Sequence, residues 1–429
     1  MMRKAIGIVA EYNPFHRGHL YHLKKATESG APVIVALSSC FVQRGEPACL
    51  DKGSRTEMAL LSGADLVLEL PSVFSCHNAG VFAAGAVDIL ESTGVVGHLS
   101  FGMETFPANL ENIIAIVVEE PQPFKDRLRA LLDRGFSYVN ARAQAAESVI
   151  PGAGDVLSRP NNSLAVAYMS RIASRGYTMT PSPILRSGCS YHQTTLGETF
   201  PSATAIREAL RKNDNWRPAL PKGPAAIVDR ELGRGRCCLD FKRLWEALRV
   251  LLMRSNPQEL RTYAEFGEGI EHRFLREAVM SSSWNDFMNR CVTGRYPRGR
   301  LQRNMIHFFL GIQHDTNRNI QRLGPAYIKP LGATGRGRKL LDEMGKSARL
   351  PVVTRGRDLR GNPYGQAMWN LEQRACDLWE LLISGGEIGR DRRRPPLMIY
   401  PLKKDTGEIV PADDDRPREE PCPGPPLQS

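Results

Sequence analysis

The chain has 429 residues, 42% of them hydrophobic, and this length predicts about two domains with buried cores. Its 57 lysine and arginine residues against 46 acidic residues leave a net charge of +11, which favours a polyanionic partner such as RNA. The nine cysteines form no C-x-x-C pair and no apolar run approaches the ~20 residues of a membrane span, so we expect a cytoplasmic protein with reduced thiols and no membrane contact.

The first predicted elements are a strand, a loop and a helix. Residues 5–10 form an apolar run typical of a buried strand, polar residues follow, and residues 20–27 predict an amphipathic helix. His16 and His19 can face the same side of the first helical turn, and Gly18 lets a ligand approach the backbone. Two imidazoles and free N–H groups at a helix start suit charge developing on a phosphate. Alternatives are a helix cap or a pair of metal ligands, but the pair lacks the third ligand of catalytic zinc.

The next segment completes a β-α-β unit. Residues 32–38 predict a second buried strand, so the helix before it is a crossover and the sheet is parallel. Residues 41–47 then form a loop at the carboxyl end of that strand, where open α/β sheets bind ligands. Arg44, Lys52 and Arg55, in and after this loop, are candidates to contact phosphates or RNA; the alternative is that they are solvated loop charges.

Polar residues also lie beside the later elements of this half. Residues 64–71 and 179–185 predict strands, residues 79–91 and 110–140 predict helices, and residues 152–158 predict a linker. Asn161 and Asn162 stand where a further helix starts and suit an N-cap, as does Ser202 before the last helix of this half. Arg186 directly follows a predicted strand and suits a contact to phosphate or ribose.

Several of these segments resemble one family. The string AEYNPFHRGHLYHL at residues 10–23 is similar to that of the bacterial tRNA(Met) cytidine acetate ligases, members of the HxGH nucleotidyltransferase superfamily. So are FVQRGEPACLDK at 41–52, SFGxE at 100–104, PNNxL at 160–164, the R-x-G…YH pattern from residue 186 to 192, and SxTxIR at 202–207. In that superfamily the SxTxIR segment holds the outer phosphates across a cleft from the HxGH histidines. The resemblance covers about residues 3–385.

The resemblance implies a chemistry and a set of residues. It implies ATP-dependent activation of acetate as acetyl-adenylate, with Mg²⁺, and acetyl transfer to N4 of the wobble cytidine of elongator tRNA(Met). It implies catalytic roles for His16, His19 and Arg207, and no metal ligand from the protein. Of the two asparagines, Asn162 is the favoured ATP contact and Asn161 stays open. The implied ATP-binding residues are Val9, Ala10, Glu11, Tyr12, Asn13, Pro14, Phe15, His16, Arg17, Gly18, His19, Leu20, Tyr21, His22, Gly102, Asn161, Asn162, Arg186, Ser202 and Thr204.

The second half has helical periodicity and no convincing strand. Basic residues there alternate with an aromatic residue, a pattern that suits a tRNA backbone and an unstacked base, or alternatively a solvated helix start. These residues are Arg295, Tyr296, Arg298, Arg300 and Arg303. We therefore predict an α/β, Rossmann-like HxGH nucleotidyltransferase domain with a parallel sheet at 1–215, a linker at 216–237, a mainly α-helical tRNA-binding domain at 238–402, and a disordered tail at 403–429.

Two other functions compete with this interpretation. The first is a nucleotidyltransferase of the same fold that acts on a small phosphorylated metabolite, and the second is a non-catalytic nucleotide- or RNA-binding protein. A large basic helical half argues against the first, because a small-molecule enzyme rarely needs it. The intact HRGH and SATAIR segments argue against the second. No protein partner is predicted.

Overall fold

The computed structural model describes residues 4–186 and 201–399, and the structural statements below refer to these residues. The R-x-G…YH pattern beyond Arg186 and the tail predicted to be disordered lie outside them. The strands are β1 (Ala5–Ala10), β2 (Val33–Ser38), β3 (Phe41–Val42), β4 (Glu46–Pro47), β5 (Leu66–Leu70), β6 (Val96–Met103), β7 (Thr180–Leu185), β8 (Pro330–Thr334) and β9 (Leu397–Ile399).

Helices surround these strands. In the first half they are α1 (Arg17–Thr27), α2 (Lys52–Leu61), α3 (Ser72–Ser75), α4 (Ala79–Ser92), α5 (Leu110–Glu119), α6 (Gln122–Asp133), α7 (Tyr138–Glu147), α8 (Ala153–Ser158), α9 (Pro160–Arg175) and α10 (Ala203–Lys212). Further along they are α11 (Lys222–Gly233), α12 (Lys242–Arg254), α13 (Pro257–Leu260), α14 (Ile270–Met280), α15 (Trp284–Cys291), α16 (Arg298–Leu310), α17 (His314–Leu323), α18 (Gly335–Ser347), α19 (Pro363–Glu380) and α20 (Arg390–Arg393). Short 3₁₀ turns lie at Arg217–Ala219 and Gly356–Leu359.

A seven-stranded sheet with the order β7-β6-β1-β2-β5-β8-β9 forms the centre of the molecule. β1 pairs in parallel with both β2 and β6, and the β1-α1-β2 segment is the predicted crossover unit. β2 is an unbroken apolar and β-branched run because helices cover both of its faces, and Val33 to Leu37 have no exposed surface. The predicted fold class, a mostly parallel sheet with helices followed by a mainly helical region, is confirmed.

The second half also contributes strands, which the sequence analysis did not predict. β8 pairs antiparallel with β5, and β9 pairs in parallel with β8, so both extend the sheet of the first half. The expectation that no strand follows residue 238 was therefore wrong. β8 has only five residues and includes Pro330 and Gly332, so it carries neither the length nor the β-branched composition that marks a strand in a sequence.

Two stretches expected to be linkers are helical. Residues 152–158 contain α8, and residues 216–237 contain a 3₁₀ turn and α11. Pro221 and Pro224 lie at the N-terminal end of α11, where proline is compatible with a helix, and Gly152 precedes α8 with a positive φ of 84°. Proline and glycine therefore bound these helices instead of breaking them. No described helix has both the length and the apolar character needed to cross a membrane.

Arg55 of α2 holds together the segments that leave the central strands. Its side chain is completely buried and donates to backbone carbonyls, with distances of 2.7 Å to Glu11 and Ser38 and 2.5 Å to Ser39. Glu11 follows β1, whereas Ser38 ends β2 and Ser39 follows it. The partial negative charges of these carbonyls compensate a guanidinium that has no access to water. The carboxyl edge of the sheet is thereby fixed where the cavity described next begins.

Candidate active site

A cavity of about 250 Å³ lies at the carboxyl ends of β1, β6 and β7. Its wall includes the β1-α1 connection, the hairpin formed by β3 and β4, and the start of α10, which are far apart in the sequence. This is the edge at which open α/β sheets bind ligands. The lining residues that were predicted to contact ATP are Val9, Ala10, Glu11, Tyr12, Asn13, His16, Gly18, His19, Tyr21, His22, Gly102, Asn161, Arg186, Ser202 and Thr204.

The two histidines of the HxGH segment hold one another in place. His16 is the N-cap of α1, and its Nδ1 accepts a hydrogen bond from the Gly18 amide at 3.1 Å. The His19 Nδ1 accepts from the backbone amide of His16 at 3.2 Å, and the two rings stack with centroids 3.7 Å apart. Because each Nδ1 is an acceptor, the neutral rings carry their proton on Nε2. Each imidazole therefore keeps one N–H donor available for a ligand.

Burial keeps these imidazoles neutral. Burial and the nearby Arg186 guanidinium lower the pKa of His16 to about 3, and burial together with His16 holds the pKa of His19 well below its ordinary value. His22, one turn further along α1, lies 3.0 Å from the Ser100 hydroxyl, and burial lowers its pKa to about 4. At neutral pH the three histidines are therefore uncharged, and His16 and His19 can stabilise a developing oxyanion as neutral hydrogen-bond donors.

The start of α10 faces the β1-α1 connection across the cavity. Ser202 caps α10, since its hydroxyl accepts from the Ala205 amide at 3.1 Å. Arg207, one turn into the helix, donates to the Asn13 carbonyl at 2.9 Å and to the Thr204 hydroxyl at 3.4 Å. The SxTxIR and HxGH segments, far apart in sequence, are therefore joined directly. Arg207 and a helix N-terminus on one wall suit the outer phosphates of a nucleotide.

The opposite end of the cavity combines a polar pair with an apolar wall. Arg186 packs across Gly102: a Cβ added to that glycine would lie 3.0 Å from the arginine Cγ. The Arg186 guanidinium donates to the Asn161 side-chain oxygen at 3.3 Å. Six apolar residues complete this end and suit a purine ring: Phe82, Phe101, Leu164, Tyr168, Ile184 and Leu185. Sequence analysis missed them because they lie in ordinary core patterns of four different elements.

The structure distinguishes the two neighbouring asparagines. Asn161 lines the cavity, whereas Asn162 is completely buried behind it. The Asn162 side chain accepts from the Glu104 amide at 2.7 Å and donates to the Thr105 hydroxyl at 2.7 Å. Its polar atoms thus hold the turn after β6, and the preference for Asn162 over Asn161 as the direct ATP contact does not fit this geometry.

Four more residues of the predicted ATP set do not line the cavity. Phe15 is buried in the core against Tyr12, and Arg17 is exposed and donates to the Pro218 carbonyl at 2.6 Å. Pro14 and Leu20 are likewise absent from the cavity wall. Consecutive residues of a loop and a helix point in different directions, so a continuous motif mixes ligand-facing and core-facing side chains.

Two of the predicted RNA contacts are corrected by the structure. Arg55 is the buried clamp described above, and Lys52 is 3% exposed. The Lys52 ammonium pairs with Glu69 and with Asp391, the latter at 3.0 Å. Neither side chain can reach a nucleic acid. Arg44 lies instead in the cavity wall, where it donates to the Thr204 hydroxyl at 3.3 Å.

The basic segment at the start of α16 is partly accessible. Arg295 is exposed and pairs with Glu268 at 3.0 Å, and Arg298 donates to two asparagine side chains. Tyr296 is largely buried, and Arg300 stacks over its ring at 4.9 Å. Tyr296 is therefore poorly placed to stack on a base, while the arginines at the surface keep the charge that an RNA backbone needs.

Neutral imidazole donors at one strand end, facing a helix-borne arginine, define a nucleotidyltransferase of the HxGH type. In agreement, the HIGH Nucleotidyl Transferase family matches residues 2–392. Relatives from Syntrophomonas wolfei (34% identical over 413 residues, 91% of this chain and 99% of the relative) and Geobacillus sp. (35% over 376 residues, 85% and 92%) are tRNA(Met) cytidine acetate ligases. The chain belongs to the tRNA(Met) cytidine acetate ligase family, as the sequence analysis predicted.

Solved structures agree with this assignment. The apo crystal structure of Thermotoga maritima TmcAL is similar to this protein with a TM-score of 0.87 and 31% identity, over 93% of this chain and all of that one. The same Thermotoga protein bound with alpha-thio ATP gives a TM-score of 0.84 at 31% identity and the same coverage. A relative with this fold thus binds an ATP analogue.

Proposed function

We propose that this protein activates acetate with ATP and transfers the acetyl group to N4 of the wobble cytidine of elongator tRNA(Met). The observation that carries the proposal is the 2.9 Å hydrogen bond from Arg207 to the Asn13 carbonyl, which joins the two phosphate-binding segments around one cavity. Acetate as the acid and tRNA(Met) as the acceptor come from the family to which the chain belongs.

The first step is an attack by an acetate oxygen on the α-phosphorus of ATP. A bond forms between that oxygen and phosphorus, the bond to the bridging oxygen of the β-phosphate breaks, and acetyl-adenylate and pyrophosphate result. His16 and His19 donate from Nε2 to the α-phosphate oxygens, which carry the most charge in the transition state. Arg207 and Arg44 hold the leaving pyrophosphate, and Asn161 and Arg186 hold the nucleoside side. In the second step the cytidine N4 attacks the acetyl carbon and releases AMP and a proton.

Magnesium fits this site as a companion of ATP. Among the described residues no group of three or more His, Cys, Asp or Glu side chains is arranged to hold a metal ion. The carboxylates in the cavity wall, Glu11 and Glu46, already accept from the Gln43 amide and the Gln302 side chain. Since Mg²⁺ keeps much of its water and binds readily to phosphate oxygens, the triphosphate would supply its ligands.

The RNA face of the proposal is the start of α16. Arg295, Arg298 and Arg300 lie at or near the surface of a chain with a net charge of +11, and phosphate contacts dominate the affinity of such interfaces. We assign ATP chemistry to residues 1–215 and tRNA binding to residues 238–402. A tRNA substrate also implies a cytoplasmic location.

The test is acetate-dependent exchange of ³²P-pyrophosphate into ATP by the purified protein. The expected result is exchange with acetate alone, followed, when elongator tRNA(Met) is added, by N4-acetylcytidine in the digested RNA. Exchange that requires a phosphorylated metabolite in place of acetate would favour the first competing function. A protein that binds ATP and RNA but exchanges nothing with any carboxylate would contradict the proposal.

A further inference from the structure

The hairpin of β3 and β4 lies between the cavity and α16. On one side, Arg44 and Glu46 line the cavity. On the other side, Gly45 adopts a φ of +76° and sits directly on the helix backbone, because a Cβ at this position would lie 2.4 Å from the Arg303 nitrogen. Gly45 thus packs against the backbone of α16 and the Cβ of Gln302, so the positions of the two elements depend on one another.

One carboxylate in this hairpin is shared between the cavity and the helix. Glu46 Oε2 lies 3.5 Å from Nη2 of Arg207, and Glu46 Oε1 accepts from Nε2 of Gln302 at 3.2 Å. Gln302 is 5% exposed, and the side chains of Glu46 and Arg207 are 17% and 15% exposed. The Glu46–Arg207 pair is therefore only weakly screened by water, and the Gln302 amide fixes where the carboxylate stands.

In this arrangement the Glu46 carboxylate and a phosphate bound in the cavity would share the same cationic partner. Arg207 is the arginine assigned to the pyrophosphate end of ATP, and Glu46 competes with those phosphates for its guanidinium. An anion at this distance weakens the binding of another anion at the same arginine. We propose that Glu46 is a positioning residue, anchored by Gln302, that limits how tightly Arg207 holds the triphosphate and thereby allows pyrophosphate to leave. The proposal rests on the proposed function only for the assignment of Arg207 to that end of ATP.

Substitutions of Glu46 and of Gln302, which anchors the Glu46 carboxylate, should change the Kd for pyrophosphate in opposite directions. Glu46→Gln removes the competing charge, so Arg207 binds phosphate more strongly, and the Kd for inorganic pyrophosphate should fall about threefold to fivefold. Gln302→Leu removes the amide that draws the carboxylate toward α16, so Glu46 pairs more closely with Arg207 and the Kd should rise about twofold to threefold. In the double variant the Kd should match that of Glu46→Gln alone, because Gln302 acts only through the carboxylate.

The experiment is titration of the full chain with inorganic pyrophosphate and with α,β-methylene-ATP by calorimetry, with steady-state exchange kinetics on the same variants. Glu46→Gln should lower both KM for ATP and kcat, since tighter pyrophosphate slows its release. The matched control is Asn304→Leu, which removes another buried amide of α16, one that donates to the Glu265 carbonyl at 2.7 Å. It should lower the melting temperature and leave both Kd values unchanged.

If Glu46 and Gln302 were only structural, both single variants and the double variant would have lower melting temperatures and unchanged Kd values, and that result would overturn the proposal. A change of Kd in the same direction in Glu46→Gln and Gln302→Leu would overturn it as well. Loss of the proposed function has a different signature: the wild type would show no acetate-dependent exchange, whereas the pyrophosphate affinities would still separate in opposite directions.

Discussion

His16 makes two contributions that substitutions can separate. Its Nδ1 caps α1 through the Gly18 amide, and its Nε2–H is the donor that we assign to the ligand in the cavity that His16 lines. An N-cap replaced by alanine costs about 1 kcal/mol of stability. One donor removed from an oxyanion site costs roughly 10²–10³ in kcat. In the variant His19 loses the stacked ring of His16 but keeps its hydrogen bond, because its Nδ1 accepts from the backbone amide of residue 16. His16→Ala should therefore lower the free energy of unfolding by about 1 kcal/mol and slow adenylate formation at least a hundredfold.

His16→Asn is the matched control. Asparagine is among the strongest N-caps, so it should restore the stability measured by urea denaturation, but its amide is too short to replace the Nε2 donor. The rate of acetate-dependent pyrophosphate exchange at saturating ATP should remain as low as in His16→Ala. The reasoning is refuted if His16→Ala forms acetyl-adenylate at the wild-type rate. It is also refuted if His16→Asn recovers rate and stability together, since the histidine would then act only as a cap.

Three further predictions follow from the same contacts. Arg55→Ala should destabilise the protein by about 3–5 kcal/mol in denaturant titrations, because it leaves buried carbonyls without their hydrogen-bond donor. The salt dependence of tRNA binding should not change. Asn161→Ala should raise KM for ATP with an unchanged melting temperature, whereas Asn162→Ala should lower the melting temperature first; the reverse pattern would restore Asn162 as the direct contact. Burial lowers the pKa of His77 to about 3 and also lowers the pKa of His307, so both histidines contribute stability above the unfolded pKa of about 6.5 that is lost as pH falls. His77 alone should lower the free energy of unfolding by roughly 1 kcal/mol between pH 7.5 and 5.5, and a stability that stays flat over this range would contradict the prediction.

The parts of the site that could be predicted from sequence are those in which chemistry and geometry are local. The strand β1, the turn after it and the histidines of α1 are consecutive in the sequence, so hydrophobic periodicity and residue spacing alone locate them. The crossover to β2 follows from the same reasoning. The choice between Asn161 and Asn162 could not be made in this way. Adjacent helical residues differ by about 100° in direction, and only the packing of α9 decides which one faces the cavity.

Charges were predicted less well than apolar patterns. Lys52 and Arg55 look like surface residues in the sequence, yet both are buried. The partners of Lys52 come from other elements: Glu69 lies in β5, and Asp391 lies in α20, near the far end of the described chain. A side chain's charge is visible in the sequence, whereas the partners that permit its burial are brought together only by the fold. The strand β8 escaped prediction for a similar reason, since its pairing partner β5 precedes it by more than two hundred residues.

These remote partners also bear on how the two halves of the chain cooperate. β8 covers the edge of β5, and Lys329, beside β8, pairs with Glu69 at 3.1 Å, so the region assigned to tRNA also completes the sheet that positions the histidines. α16 extends this relation to the active site. Its first turn carries Arg298 and Arg300, two of the arginines assigned to RNA. Gln302, about 6 Å further along the helix axis than Arg298, donates to the carboxylate of Glu46, which faces Arg207. Because a helix moves as a rigid unit over such a length, we expect RNA bound at the start of α16 to change the affinity of the cavity for pyrophosphate.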